Sequence, residues 1–276
     1  MRNSLFNNLL IFIDFIKKLY QNRNLVKSMS LRELKALYVG SFFGFLWAVI
    51  NPLAQVAIFG IIFGVFFKSK PDPIYGTDSF FIYLICGLIP WQFFAQTLSL
   101  STNTLTSNVN LIRRAAGFPS EILPIISVTS NIITHLIGVA LLLLILVLFG
   151  VKLTLYMLLI FVYLFFIAVF AVGIGWILSS LNVYLRDVQQ VVGLITLGWF
   201  FFTPIFYSPS IVPESILPVF KLNPMYHFVF GYRYALLVGK MLPWQDFVYL
   251  AGISFLTFGL GGIIFRKLKP SFAEVL

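Results

Sequence analysis

Residues 123–149 read LPIISVTSNIITHLIGVALLLLILVLF, a run without one Asp, Glu, Lys or Arg. As a helix this run is about 40 Å long, more than the roughly 30 Å of hydrocarbon in a bilayer. A helix apolar on every side is surrounded by lipid or by a core, and the rest of the chain says which. Comparable stretches lie near 39–67, 80–102, 154–181, 188–207 and 246–265. Hydrophobic residues fill 60% of the 276 positions and charged residues only 10%, with a mean hydropathy of +0.97. A soluble domain carries about 25% charged residues, so this supply cannot cover a surface facing water. The expectation is an all-α membrane protein with six transmembrane helices in one domain, 39–276.

A seventh apolar region, 210–240, is broken by Pro213, Pro218 and Pro224 and carries Lys221 and Arg233. Two short helices that dip into the outer leaflet and return fit it better than one straight span, giving an outer re-entrant hairpin over 208–244. The first 38 residues differ in kind. Leu5, Leu9, Phe12, Ile13, Ile16 and Tyr20 recur at helical spacing with Asn8, Asp14, Lys17 and Lys18 between them, the pattern of an amphipathic interfacial helix. A second short helix is expected to start at Ser30, with Glu33 completing a capping box. This region, 1–38, is either a membrane anchor or a gate beside the pore. No signal peptide is expected, because Asn7, Asn8 and Asp14 interrupt the apolar positions and no small-residue cleavage site follows.

Orientation follows from basic residues. With the N-terminus inside, 13 of the 19 Lys and Arg fall in cytoplasmic segments, as the positive-inside rule requires. Six spans return the C-terminus to the same side. The charge of +10 therefore sits beside spans rather than in a groove-sized patch, which argues against nucleic acid. Cys86 is the single cysteine, so one chain has neither a disulfide framework nor a cysteine metal site. No G-x-x-x-x-G-K-[ST] loop occurs, so this chain does not cradle nucleotide phosphates in the usual way, and any ATP hydrolysis, with its magnesium, belongs to a partner chain. No catalytic, metal or cofactor residue is assigned. His135 within the third span reads as a hydrogen-bonding residue, and His227 has no second ligand set.

Ordered motifs add to this. Leu31 to Trp47 reads LRELKALYVGSFFGFLW and is followed by Asn51-Pro52. There Gly40, Ser41 and Gly44 are expected to admit a neighbouring helix, and Pro52 to kink the span. Further on come Asn110-Leu-Ile-Arg-Arg-Ala-Ala-Gly-Phe-Pro119 with Glu121 and Pro124, then Asn182-Val-Tyr-Leu-Arg-Asp187, Thr203-Pro204-Ile205, and Asn223-Pro224 with Arg233. In order and spacing these resemble the type-2 ABC permeases that export polysaccharide, the Wzm-like O-antigen, capsule and teichoic-acid exporters, over nearly the whole chain. The resemblance implies a homodimer in the bacterial inner membrane with both termini cytoplasmic and two ABC ATPase subunits. It also implies an undecaprenyl-linked glycan as cargo, passing between the two copies. A drug or simple-lipid exporter is the rival within transport, and a polytopic acyl- or glycosyltransferase is the rival outside it.

The candidate residues have competing readings. The segment 103–124 is an ordinary positive-inside loop or, as the resemblance implies, an ATPase-coupling element carried by Asn110, Arg113, Arg114, Phe118, Pro119 and Glu121. Glu121 either pairs with a basic residue of the loop or faces a phosphate-bearing path. Arg32, Lys35, Tyr38, Arg186 and Asp187 are gate or interface candidates, with an ion pair or snorkelling as the plainer reading of Arg186. Trp199, Phe202, Phe206, Tyr207 and Tyr232 are either an interfacial aromatic belt or residues that touch a glycan at the channel exit.

Overall fold

A computed structural model describes residues 21–114 and 118–276, and every regular element among them is helical. In chain order these are α1 (Arg23–Ala36), α2 (Trp47–Phe59, continued by a π-helical turn Gly60–Phe66) and α3 (Phe80–Ser107). A short α4 (Val109–Arg114) precedes α5 (Leu123–Leu148), α6 (Leu159–Tyr184) and α7 (Val188–Phe202). The chain ends with α8 (Leu217–Lys221), α9 (Pro224–Arg233), α10 (Trp244–Leu268) and α11 (Phe272–Val275).

Five helical segments are long and apolar enough to cross a membrane: Gly44–Phe66, Phe80–Ser107, Ser120–Leu148, Leu155–Tyr184 and Trp244–Val275. The expected span 188–207 is shorter than its sequence promised, because α7 stops at Phe202. Thr203 turns extended (ψ 128°), the conformation that a following proline imposes. At helical rise α7 is about 22 Å long, short of the hydrocarbon thickness.

α3 is the axis of the bundle, packed against α5, α6, α7 and α9. Polar side chains fasten it. Asn131 Nδ2 on α5 donates to Phe93 O at 2.8 Å and to Thr97 Oγ1 at 2.7 Å. Asn182 Nδ2 on α6 donates to Thr102 O at 3.0 Å and to Asn103 Oδ1 at 3.2 Å. Such bonds join helices where lipid offers no competing partner. The bond to Asn103 lies beyond the helix end expected at residue 102, and α3 runs on to Ser107, where Asn108 Nδ2 donates back to Thr104 O at 2.8 Å. α6 and α10 meet backbone to backbone: a Cβ placed on Gly261 would lie 2.1 Å from Gly173 O.

Two local expectations are corrected. Ser30 does not begin a helix; it lies inside α1, buried, with its hydroxyl donating to Ile126 O of α5 at 3.3 Å. Nothing from Arg23 to Met29 breaks a helix, and burial of Ser30 and Leu34 against α5 carries the helix through. Gly40 and Gly44 meet no helix among the described residues. Both have positive φ (81° and 51°) with no described atom near the missing Cβ, so they form the turn that leads from α1 into the first span. Pro52 lies inside α2 without ending it. The amphipathic pattern from Leu5 to Tyr20 lies outside the described residues.

Burial is uneven. In the most apolar window of the second span 78% of residues are buried, against 6% in the first.

The Gly173–Gly261 contact generates a prediction. Gly261→Ala should destabilise the purified protein by about 1–3 kcal/mol, the usual cost of overpacking. Gly252→Ala, where a Cβ meets open space, should be neutral. Thermal unfolding of both variants in detergent measures the contrast, and equal behaviour would refute the close contact.

Candidate functional site

One end of the bundle gathers the short polar elements. α4 leaves α3 almost at once, with Asn110 and Arg113 exposed and Ile112 packed inward. Phe118 and Pro119 are half-buried, and Phe118 lies against the core. The side chain of Arg114 lies outside the described set. Behind this segment the Trp176 indole of α6 donates to Glu121 O at 2.9 Å. The Glu121 carboxylate pairs with Lys269 Nζ. Its partner is thus a base at the C-terminal end rather than one in its own loop. Tyr184 OH hydrogen-bonds Ser271 Oγ at 2.7 Å and Leu268 O at 3.2 Å, and Phe272 is buried. The structure therefore joins 120–122, the end of α6 and the C-terminal segment, and leaves Asn110 and Arg113 facing outward.

α1 lies on α5 beside this end. Arg32 and Lys35 are exposed, and Tyr38 is half-buried with its ring edge-on to Phe45 at 5.4 Å. Between them Glu33 points toward Ser127 and Ser130. Burial lifts its carboxyl above the usual range, and the two serine hydroxyls oppose the lift. Arg186 and Asp187 are exposed in the α6–α7 turn and form no ion pair with each other.

At the other end the aromatic candidates separate. Tyr232 is 0% exposed and its hydroxyl hydrogen-bonds His135 Nε2 at 2.8 Å. Phe206 is buried and stacks on Phe63 at 4.4 Å. Neither reaches a surface of the chain, which corrects their reading as glycan contacts; both fill space between helices. Trp199 is half-buried and donates to Asn223 Oδ1 at 2.6 Å. Tyr207 donates to Phe201 O at 2.9 Å. Only Phe202, at 62% exposure, stands clear of the protein.

Arg233 is the residue whose importance the sequence understated. It is 1% exposed. Its guanidinium donates to Tyr83 O at 3.2 Å and to Pro204 O and Ile205 O at 2.6 Å each, and lies 3.5 Å from the Tyr83 ring centroid. The signal available was an arginine in an apolar, proline-broken stretch, where a charge needs partners. A Cβ on Gly87 would lie 2.6 Å from that guanidinium, so Gly87 makes room for it. His227 adds a second tie, with Nε2 donating to Lys221 O at 2.7 Å and Nδ1 2.9 Å from the Asp246 carboxylate on α10.

Two cavities flank the bare side of α3. One of about 530 Å³ lies among α2, α3 and α5, and one of about 480 Å³ lies among α2, α3 and α7.

The ABC-2 type transporter family profile matches residues 24–237. The chain is 27% identical to the O-antigen export system permease protein RfbA of Myxococcus xanthus over 264 residues, covering 95% of this chain and 99% of the relative. It is 28% identical to an O-antigen export system permease protein RfbA of Klebsiella pneumoniae, covering 89% and 92%. It is 24% identical to the polysialic acid transport protein KpsM of Escherichia coli, covering 87% and 92%.

Two predictions rest on these contacts. The raised Glu33 carboxyl means that the folded state holds a proton which the unfolded state releases first, so stability falls as pH rises through the folded value. Glu33→Gln should therefore be more heat-stable than the parent at about pH 8 and equal to it at about pH 4; the opposite order in a thermal-shift series would refute the burial. Gly87→Ala should cost about 1–3 kcal/mol by displacing the guanidinium, and an unchanged melting temperature would show that Arg233 is not held there.

Proposed function

The chain belongs to the ABC-2 type transporter family, and from that premise we propose that it is the membrane half of an exporter of lipid-linked polysaccharide. The observation that carries the reading is full-length similarity to permeases named for O-antigen and polysialic acid transport, covering 87–95% of this chain. Two copies pair, and the glycan, carried on undecaprenyl phosphate, crosses in the gap between them. The first span and α7 support pairing: Leu46, Val65, Leu194 and Phe202 are exposed apolar side chains on α2 and α7 and their flanks, a surface that favours a protein partner or lipid.

ATP and magnesium are handled by two ATPase subunits. Each docks on α4 and the following segment, with Asn110, Arg113, Arg114, Phe118 and Pro119 offered to a groove. Closure of the ATPase pair moves this segment. Glu121 passes the movement to α6 through Trp176 and to α10 through Lys269. α1, with Arg32, Lys35 and Tyr38, lies in the cytoplasmic interface as the gate, and Arg186 and Asp187 mark the same side. The protein sits in the bacterial inner membrane with both termini in the cytoplasm, and the segment from Ser208 to Trp244 forms the outer hairpin.

The docking end gives the test. Phe118→Ala combined with Arg113→Glu should lower ATPase recovered with the permease by about tenfold, as for loss of one apolar anchor and one charge, and abolish surface polymer while permease level stays normal. Normal polymer with normal complex recovery would refute docking here. A small impermeant thiol reagent added outside should label Asp72→Cys but not Ser271→Cys; labelling of the latter would overturn the orientation.

A further inference from the structure

The middle of the bundle carries uncharged amides on its bare side. Gln55 is the central residue of the first span, Gly44–Phe66, and with Asn51 one turn earlier it is exposed on α2. Gln92 and Gln96 lie one turn apart at mid-length of α3, with Ser99 following on the same face. Gln92 Nε2 donates to Gln55 Oε1 at 3.0 Å, and Gln189 Nε2 of α7 donates to Ser99 Oγ at 3.4 Å. Gln189 Oε1 is buried without a partner among the described residues. The two cavities share Gln55, Trp91 and Ala95, so they form one groove, and among the described residues no Asp, Glu, Lys or Arg lines either.

An amide at mid-membrane depth that faces lipid has no hydrogen-bonding partner, so polar side chains there face water, protein or cargo. The described residues cover the first span too sparsely to shelter Gln55.

We infer that this amide face is the glycan track, a binding surface for an uncharged, hydroxyl-rich sugar chain in transit. This rests on the export function proposed above and assigns the contact to residues inside the membrane rather than to the outer aromatics. An amide presents a donor and an acceptor, as a sugar hydroxyl does, so Gln55, Gln92, Gln96 and Gln189 can exchange bonds along a moving chain. With no fixed charge among its described lining residues, the groove has nothing to hold a carboxylate or phosphate in place. A concave groove of this volume fits an inserted chain.

The test replaces Gln55, Gln92 and Gln96 together by leucine in the full chain, expressed with its ATPase. The expected result is normal permease level, normal ATPase recovery and surface polymer reduced about tenfold, the scale set by about one net hydrogen bond. Gln92→Asn with Gln96→Asn, which keeps the amides, should restore most of the polymer. Unchanged polymer in the leucine variant, or loss of the paired species on native gels, would overturn the track; the second outcome would make the amides a contact between copies. If the leucine variant does not accumulate, Gln96→Cys decides. A water-soluble thiol reagent should label it in membranes without glycan synthesis and label it less when synthesis is active. Failure to label, or equal labelling, refutes the proposal. The docking variant runs beside these: if it too leaves surface polymer normal, the export function fails, and not the track alone.

Discussion

A helix that breaks inside a membrane strands its carbonyls, and in this protein one guanidinium collects them. Thr203-Pro204 ends α7 early and the chain beyond it is not helical, so the carbonyls of Pro204 and Ile205 have no helical partner. Arg233 approaches from α9 and donates to both, while its third contact, Tyr83 O, belongs to the central helix α3. The break, the hairpin and the axis are thus one unit. No carboxylate shares the site among the described residues; the charge rests on carbonyl dipoles and the Tyr83 ring, which is how an intramembrane cation is held without a counter-ion. Asn223 repeats the device nearby, accepting from Trp199 and donating to Phe202 O and Thr203 Oγ1.

Around that unit the chain is divided into a finished part and an unfinished one. α3 and α6 are enclosed, and interhelical amide bonds and close backbone contact leave them little freedom. The first span and α7 are half-clothed, and the groove between them is polar on its floor and apolar on its rims. A soluble protein with such a face would aggregate; a membrane protein can leave it to lipid at the rims but not at the amides. The arrangement places the demand for a partner on one side of the molecule.

Much of this was legible in the sequence. Span existence followed from charge-free runs such as 123–149, and the proline-broken segment 210–240 announced short helices. The exact ends were not legible. Residues 203–207 continue an apolar run, and only the effect of Pro204 on the residue before it marks the stop. Gly40 and Gly44 had the spacing of a packing motif, yet sequence spacing does not report the sign of φ. Two of the aromatic candidates turned inward for a related reason. Tyr232 and Phe206 are aromatic like Phe202, but burial depends on which neighbours the fold supplies, and one sequence does not contain that. Gln55, Gln92 and Gln96 were available to be noticed as amides at mid-span, and their alignment across helices emerged only from the packing.

The contact between Gly173 and Gly261 has a mechanical side. Side chains between helices act as a soft layer, since rotamers yield before backbones do. Where two backbones touch, that layer is missing, and α6 and α10 behave as one stiff strut. The strut is gripped at its lower end by Trp176 and Lys269 through Glu121. That rigid pair contrasts with the first span, where only 6% of the most apolar window is buried. The molecule thus separates a lever from a compliant wall.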